Sequence, residues 1–202
     1  MLAEPPPVDS TTVQLAHPSS PFLAPVLSGS TAPGSTVAID VGGEGAYTVE
    51  PDAAGQWSFD LRPLRLAAGA HTATVWSFTD EDATSATTQD FTIAPLGLSG
   101  IPDDVLMDLE EASTSGFVFT VEGPAAGAVC VSTDAGQSAL IPLDDSGTTS
   151  RRLRLLTSGL YAMTFEVCDG GHVGPGSHHA LWVFSGPFDP WIEEPHFVIE
   201  EP

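Results

Sequence analysis

The sequence predicts an all-β protein built from two similar units in tandem. Three observations carry that prediction. Short runs of residues alternate between apolar and polar, the two-residue period of a half-buried strand. Gly, Pro, Asp and Ser clusters punctuate the runs at turn-like intervals. The pattern of the first half then recurs in the second half at a nearly constant offset, as a duplicated unit would.

The elements follow in chain order. Residues 1–10 read as a Pro-rich arm, because Pro5-Pro6-Pro7 favours extended polyproline backbone. Residues 11–94 form the first unit. Val37, Ile39 and Val41 alternate with Ala38, Asp40 and Gly42, and Trp57-Ser-Phe-Asp-Leu61 alternates likewise. Thr72–Phe78 and Gln89–Ile93 are rich in β-branched and aromatic residues and read as further strands. Residues 95–185 form the second unit. Val129 stands 92 positions after Val37, and Tyr161 stands 90 after His71. The junction falls near Ala94-Pro-Leu-Gly97, a short hinge. Asp103–Glu111 is the one stretch with helical competition, since Pro-Asp-Asp can start a helix. Symmetry with the first unit favours reading Val105–Leu109 as that unit's first strand. Residues 186–202 form an acidic and aromatic C-terminal arm, in which Ile-Glu-Glu-Pro occurs twice.

Residues 21–93 resemble a known family. The run Pro21-Phe-Leu-Ala-Pro-Val-Leu-Ser-Gly-Ser-Thr-Ala-Pro-Gly-Ser-Thr-Val37 is followed by Gly55-Gln-Trp-Ser-Phe59 and Gly69-Ala-His-Thr-Ala-Thr-Val75. Together these are similar to the bacterial immunoglobulin-like (Big-type) domains. Residues 96–185 keep the spacing but not the signatures, so their membership rests on the repeat. The resemblance implies two tandem Greek-key β-sandwiches of about seven strands each, between extended terminal arms. It makes Trp57 a structural filler between sheets. It implies spacer, adhesive or decorating roles on bacterial surfaces and phage particles, and it brings no catalytic residues.

Composition narrows the function. The chain carries 27 acidic residues against 5 basic ones, a net charge of −22, so it repels nucleic acid. It contains no Lys, which excludes Lys nucleophiles, Schiff bases and Lys–Asn isopeptide crosslinks. No apolar run reaches the ~18 residues of a spanning helix, so membrane insertion is not expected. The start, Met-Leu-Ala-Glu-Pro-Pro-Pro, has neither the charged nor the apolar region of a secretory leader. Catalytic fingerprints are missing: there is no Gly-x-Ser-x-Gly, phosphate loop or His-Glu-x-x-His, and Asp145-Ser-Gly147 reads as an ordinary turn.

The candidate residues sit in the second unit and the arm. Cys130 and Cys168 fall, in the implied sandwich, on neighbouring strands of one sheet and face outward. They form either a disulfide or two partly covered free thiols. Gly170–His179 reads as a long Gly-rich end loop that presents His172, His178 and His179 to a ligand or to solvent. No ordered carboxylate or thiolate spacing accompanies these His, so no metal is assigned to them. Thr79–Ala83 reads as an exposed acidic turn that lacks the pattern of a calcium loop. Trp191, Phe197 and Ile199 would expose apolar surface unless the arm docks, either on the second unit or on the sheet edge of a neighbouring chain.

The expected function is therefore a non-catalytic structural or binding protein with no cofactor. It displays tandem modules on a surface, preferably as a virion decoration or tail-associated protein. The alternative is a fragment of a secreted bacterial adhesin or an accessory module of an exoenzyme. A sandwich-fold carbohydrate-active enzyme is the remote alternative. Expected partners are proteins of the assembly and a host glycan or protein, with oligomerisation through the C-terminal arm.

Overall fold

The computed structural model describes residues 11–16, 21–43, 45–79, 83, 86–169, 172–185 and 194–202. The N-terminal arm, the acidic turn at 80–82 and Trp191 lie outside the described residues. The chain divides between Ile93 and Ala94 into two compact units, each an immunoglobulin-like β-sandwich.

In unit 1, β1 (Thr12–Ala16), β2 (Val26–Ser30) and β5 (Gln56–Asp60) make one sheet in the order β1-β2-β5. The facing sheet has the order β4-β3-β6-β7, from β4 (Ala46–Val49), β3 (Thr36–Val41), β6 (Gly69–Phe78) and β7 (Thr87–Ile93). All its pairings are antiparallel. The links β2–β3, β4–β5 and β5–β6 cross between the sheets, which is the Greek-key arrangement. Alternation explains the core. Val37, Ile39, Trp57, Leu27, Val75 and Ile93 point inward and are buried. Trp57 requires a bare backbone opposite it: a Cβ on Gly29 would sit 1.9 Å from the Thr12 carbonyl oxygen and 2.8 Å from the Trp57 ring. Four hydroxyls are buried with their partners. Ser77 Oγ lies 2.8 Å from both Thr11 Oγ1 and Thr31 Oγ1, and Thr31 meets Ser35 at 3.2 Å.

Unit 2 is larger. One sheet has the order β16-β13-β10-β8: β8 (Gly97–Ser99), β10 (Phe117–Glu122), β13 (Thr148–Leu155) and β16 (Phe197–Glu200), all antiparallel. The other has the order β12-β11-β14-β15-β9, from β12 (Ser138–Pro142), β11 (Ala128–Thr133), β14 (Gly159–Asp169), β15 (His172–Phe184) and β9 (Val105–Asp108). Here β9 runs parallel to β15 and the remaining pairs are antiparallel. The core packs Phe119 edge-on to Phe165 at 5.8 Å, with Tyr161, Met163, Leu153 and Leu155 fully buried around them. The duplicated positions coincide: β3 with β11, β5 with β13 and β6 with β14.

Two expectations are corrected. Residues 103–111 are not the first strand of the unit, because β8 precedes them. The strand β9 ends at Asp108, whose carboxylate accepts from Glu110 N at 2.8 Å and caps a short helix, α1 (Leu109–Thr114). Glu110 and Glu111 fall in its first turn, where the helix dipole favours them, and Ala112 is buried beneath. The second correction is the Gly-rich end loop. His172–Phe184 is one strand, paired with β14 as far as the residues flanking 170–171. Its Gly and Pro are tolerated because β9 covers only Leu181–Phe184, so residues 173–180 form a sheet edge. Pro175 sits where the register shifts opposite Glu166–Cys168, the bulge position that a missing N–H permits.

Candidate functional site

The C-terminal residues are built into unit 2. In β16, Phe197 is buried and Ile199 packs against the same core, opposite Leu155 and Leu153 of β13. Both side chains are occupied inside the fold and do not form an outward binding surface. The backbone is held on both sides. Gln137 accepts from Phe197 N at 2.8 Å and donates to Phe197 O at 3.0 Å, and Leu156 N donates to His196 O at 2.7 Å. The Tyr161 hydroxyl lies 2.8 Å from His196 O and 3.0 Å from Thr157 O. Arg154 Nε donates to Glu200 Oε1, and Arg151 meets Glu201 at 3.2 Å. The Arg154 guanidinium holds the Glu200 carboxyl below the usual glutamate range, and Glu200 raises Arg154 in return.

Cys130 and Cys168 are bonded across β11 and β14, with Cα atoms 5.8 Å apart. Their neighbours Val129, Val131 and Val167 are fully buried, so alternation puts both sulfurs on the outer face of the sheet. The bond therefore staples two adjacent strands and does not bridge the two sheets.

His178 and His179 lie in β15, and His172 begins that strand opposite Asp169. His178 faces outward, and its Nδ1 lies 2.9 Å from Thr164 Oγ1. His179 faces inward, packs edge-on against Phe165 at 5.8 Å and is 9% exposed. Its Nε2 lies 2.9 Å from Ser177 Oγ and its Nδ1 lies 2.6 Å from Asp103 Oδ1. The order Ser–His–Asp is that of an acyl-transfer relay, but two features separate this group from one. Asp103 stands off the line of the ring N–H, so Nδ1 has no aligned hydrogen bond. Its side chain is also 66% exposed, whereas a relay carboxylate is buried.

His178, with the outward residues Thr164, Ala162 and Ala180, borders a cleft of about 370 Å³ on the outer side of the five-stranded sheet. Its floor is Ala162 and Ala180, paired across β14 and β15, and its walls are Asp103 and Asp104 on one side and Asp134 on the other. Backbone bonds fix those walls: Asp104 N donates to Ala180 O at 2.9 Å and Asp134 N to Ala162 O at 3.3 Å. Among the described residues no group of three His, Cys, Asp or Glu is placed to hold a metal ion.

Beside the cleft lies a feature not singled out in the sequence. Leu160, Trp182 and Leu106 are register partners on β14, β15 and β9, and all three are exposed on the outer face, with Phe184 next along β15. The sequence alone does not choose which half of the apolar run 181–184 turns outward. Leu181 and Val183 are core residues, so alternation turns Trp182 and Phe184 outward.

No family model and no curated protein matches the chain. Solved structures match most of the chain at low identity. One is the tetra-tandem repeat from the extending region of a large adhesion protein: 17% identity, 86% of this chain, 48% of that one, TM-score 0.35. A second is a Ca2+-stabilised adhesin of an ice-binding Antarctic bacterium: 19% identity, 88% and 50% covered, TM-score 0.26. A third is a two-domain fibronectin type III segment of chicken tenascin: 12% identity, 86% and 99% covered, TM-score 0.30. The chain spans about half the length of the first two.

Proposed function

We propose that the protein is a non-catalytic binding module displayed on an extracellular surface. The observation that carries this reading is how the chain runs through unit 2. β8 and β16 are the two edges of one sheet and run in opposite directions, so the chain comes in at Gly97 and returns to the same end. The opposite end, with α1, the Tyr161 corner and the His196 approach to β16, is the end presented to a partner. The misaligned Ser177–His179–Asp103 group supports a non-catalytic role. The finer setting, a virion decoration or tail-associated protein, competes with a secreted bacterial adhesin or exoenzyme fragment. The Cys130–Cys168 bond favours the exported setting, because a reducing cytosol works against disulfides.

Immunogold microscopy of unpermeabilised cells and of purified particles, with antibody to unit 2, tests the reading. Surface label is expected, and label confined to the cell interior overturns display. Hydrolysis of p-nitrophenyl butyrate that disappears in Ser177→Ala would overturn the non-catalytic part.

A further inference from the structure

We infer that the outer face of the five-stranded sheet of unit 2, centred on Trp182, binds a basic amphipathic segment of a partner protein. This rests on the display reading and adds to it the surface and the chemistry of the partner.

The apolar half of the surface is a row of three residues on adjacent strands. Trp182 is 49% exposed and Leu106 is 71% exposed, with Leu160 on the far side of the Trp. A folded chain gains nothing by leaving a Trp flanked by two Leu in water, and such contiguous patches mark contact surfaces. Trp is also the side chain most enriched where interfaces carry their binding energy.

The polar half is the adjoining cleft. Ala180 lies two residues before Trp182 on the same face of β15, so the cleft floor begins about 7 Å from the Trp. The cleft brings together Asp103, Asp104 and Asp134, and none of the five Arg lines it. The three Arg of unit 2 are all on β13, in the other sheet, where Arg151 and Arg154 meet Glu201 and Glu200 and Arg152 donates to Ser115 O. Asp103 already lies 2.6 Å from His179 Nδ1, so Asp104 and Asp134 are the carboxylates that an incoming cation would meet. Covering them with a neutral surface would cost their desolvation. An Arg or Lys fits both halves. Its aliphatic stem lies over the floor that begins ~7 Å from Trp182, its charge is favoured by the indole face, and its head meets the Asp side chains. Leu160 and Leu106 then receive the apolar residues that flank that cation in an amphipathic sequence.

Isothermal titration of the full chain with acetyl-(Leu-Arg)3-amide tests this at ~150 mM salt, where long-range attraction is screened. The (Leu-Glu)3 peptide and maltohexaose are titrated in parallel. Binding of the basic peptide is expected to weaken at least tenfold in Trp182→Ala, which leaves the net charge unchanged, and to recover in Trp182→Phe. The Asp104→Asn/Asp134→Asn double variant should weaken it similarly, and Tyr47→Ala, an exposed aromatic of unit 1, should not. Leu106→Ser, at a position too exposed to endanger folding, gives an independent reading of the apolar row. Equal binding by wild type, Trp182→Ala and Leu106→Ser would mean general attraction to an acidic protein and would sink the inference. Binding of maltohexaose in preference to the peptide would replace it with a saccharide platform. The titration uses purified chain, so it fails or succeeds independently of where the protein is displayed.

Discussion

His71 and Tyr161 hold equivalent places in the two units and make the same bond. His71 Nε2 lies 2.7 Å from the carbonyl of Ala67, and the Tyr161 hydroxyl lies 3.0 Å from the carbonyl of Thr157, each four residues upstream. Both sit near the start of corresponding strands, β6 and β14, where a Tyr hydroxyl commonly ties the preceding corner to the strand. Unit 2 extends the tie, because the same hydroxyl also reaches His196, just ahead of β16. One side chain thus locks a corner and the last strand together.

Tyr161→Phe should destabilise unit 2 by about 1–3 kcal/mol, because it leaves buried backbone groups without a partner. Amide hydrogen exchange in 194–200 should accelerate more than exchange in β10 or β11. Uniform protection across the unit would show that the hydroxyl does not couple corner and strand.

Phe197→Ala should cost about 3–5 kcal/mol, the usual range for emptying a Phe site in a core. Urea denaturation of the full chain measures it. A loss under ~1 kcal/mol would show that β16 contributes little to the packing of the unit.

Ser77→Ala removes the shared partner of Thr11 and Thr31 in a buried hydroxyl cluster. The expected loss is about 1–3 kcal/mol, confined to unit 1. Ser58→Ala, in an exposed position of β5, is the control and should stay within ~0.5 kcal/mol.

The pairing of Arg154 with Glu200 gives β16 an acid limit. The folded state lowers the Glu200 carboxyl, so the pair stabilises fully above the ordinary glutamate value of ~4.3. That contribution is lost as pH falls below it, through the lowered value of the folded state. The melting temperature of wild type should exceed that of Glu200→Gln at pH 6 and approach it by pH 3. Asp144, whose carboxylate is lowered by bonds from Ser146 and Thr148, titrates in the same range and cancels between the two proteins.

Reduction of Cys130–Cys168 releases a loop closed across 38 residues, which chain entropy values at about 4 kcal/mol. Unit 2 should lose most of its cooperativity margin in reductant while unit 1 keeps its own. Alkylation without reductant should label neither cysteine, and two labels would show that the bond is absent from the native protein.

Much of this architecture is legible in the sequence because alternation and turn residues act locally. Val37 and Ile39, like Val129 and Val131, declare an inward face, and Gly-x-Trp-Ser-Phe marks the fifth strand. The misses have a common cause. Gly174, Pro175 and Gly176 look like loop residues, and only the absence of a second neighbour at that edge makes them acceptable in a strand. Val105–Asp108 reads as a strand, but its place beside β15 and the capping of α1 by Asp108 depend on what packs against them. The candidate face was hidden for a similar reason. Leu181-Trp-Val-Phe184 looks uniformly apolar, so which half faces out is decided by the sheet opposite. The convergence of Asp103, Asp104 and Asp134 depends on strand register across β11, β14, β15 and β9.

The antiparallel edges β8 and β16 also determine how unit 2 answers to a pull. Tension between Gly97 and Glu200 acts on two strands anchored at one end of a single sheet, so it peels them inward from that end. Ladder bonds then break one after another and do not shear together. Such a unit yields gradually at low force, and β16, tied by Arg154 and Tyr161, is placed to detach while the five-stranded sheet and its Cys130–Cys168 staple stay whole.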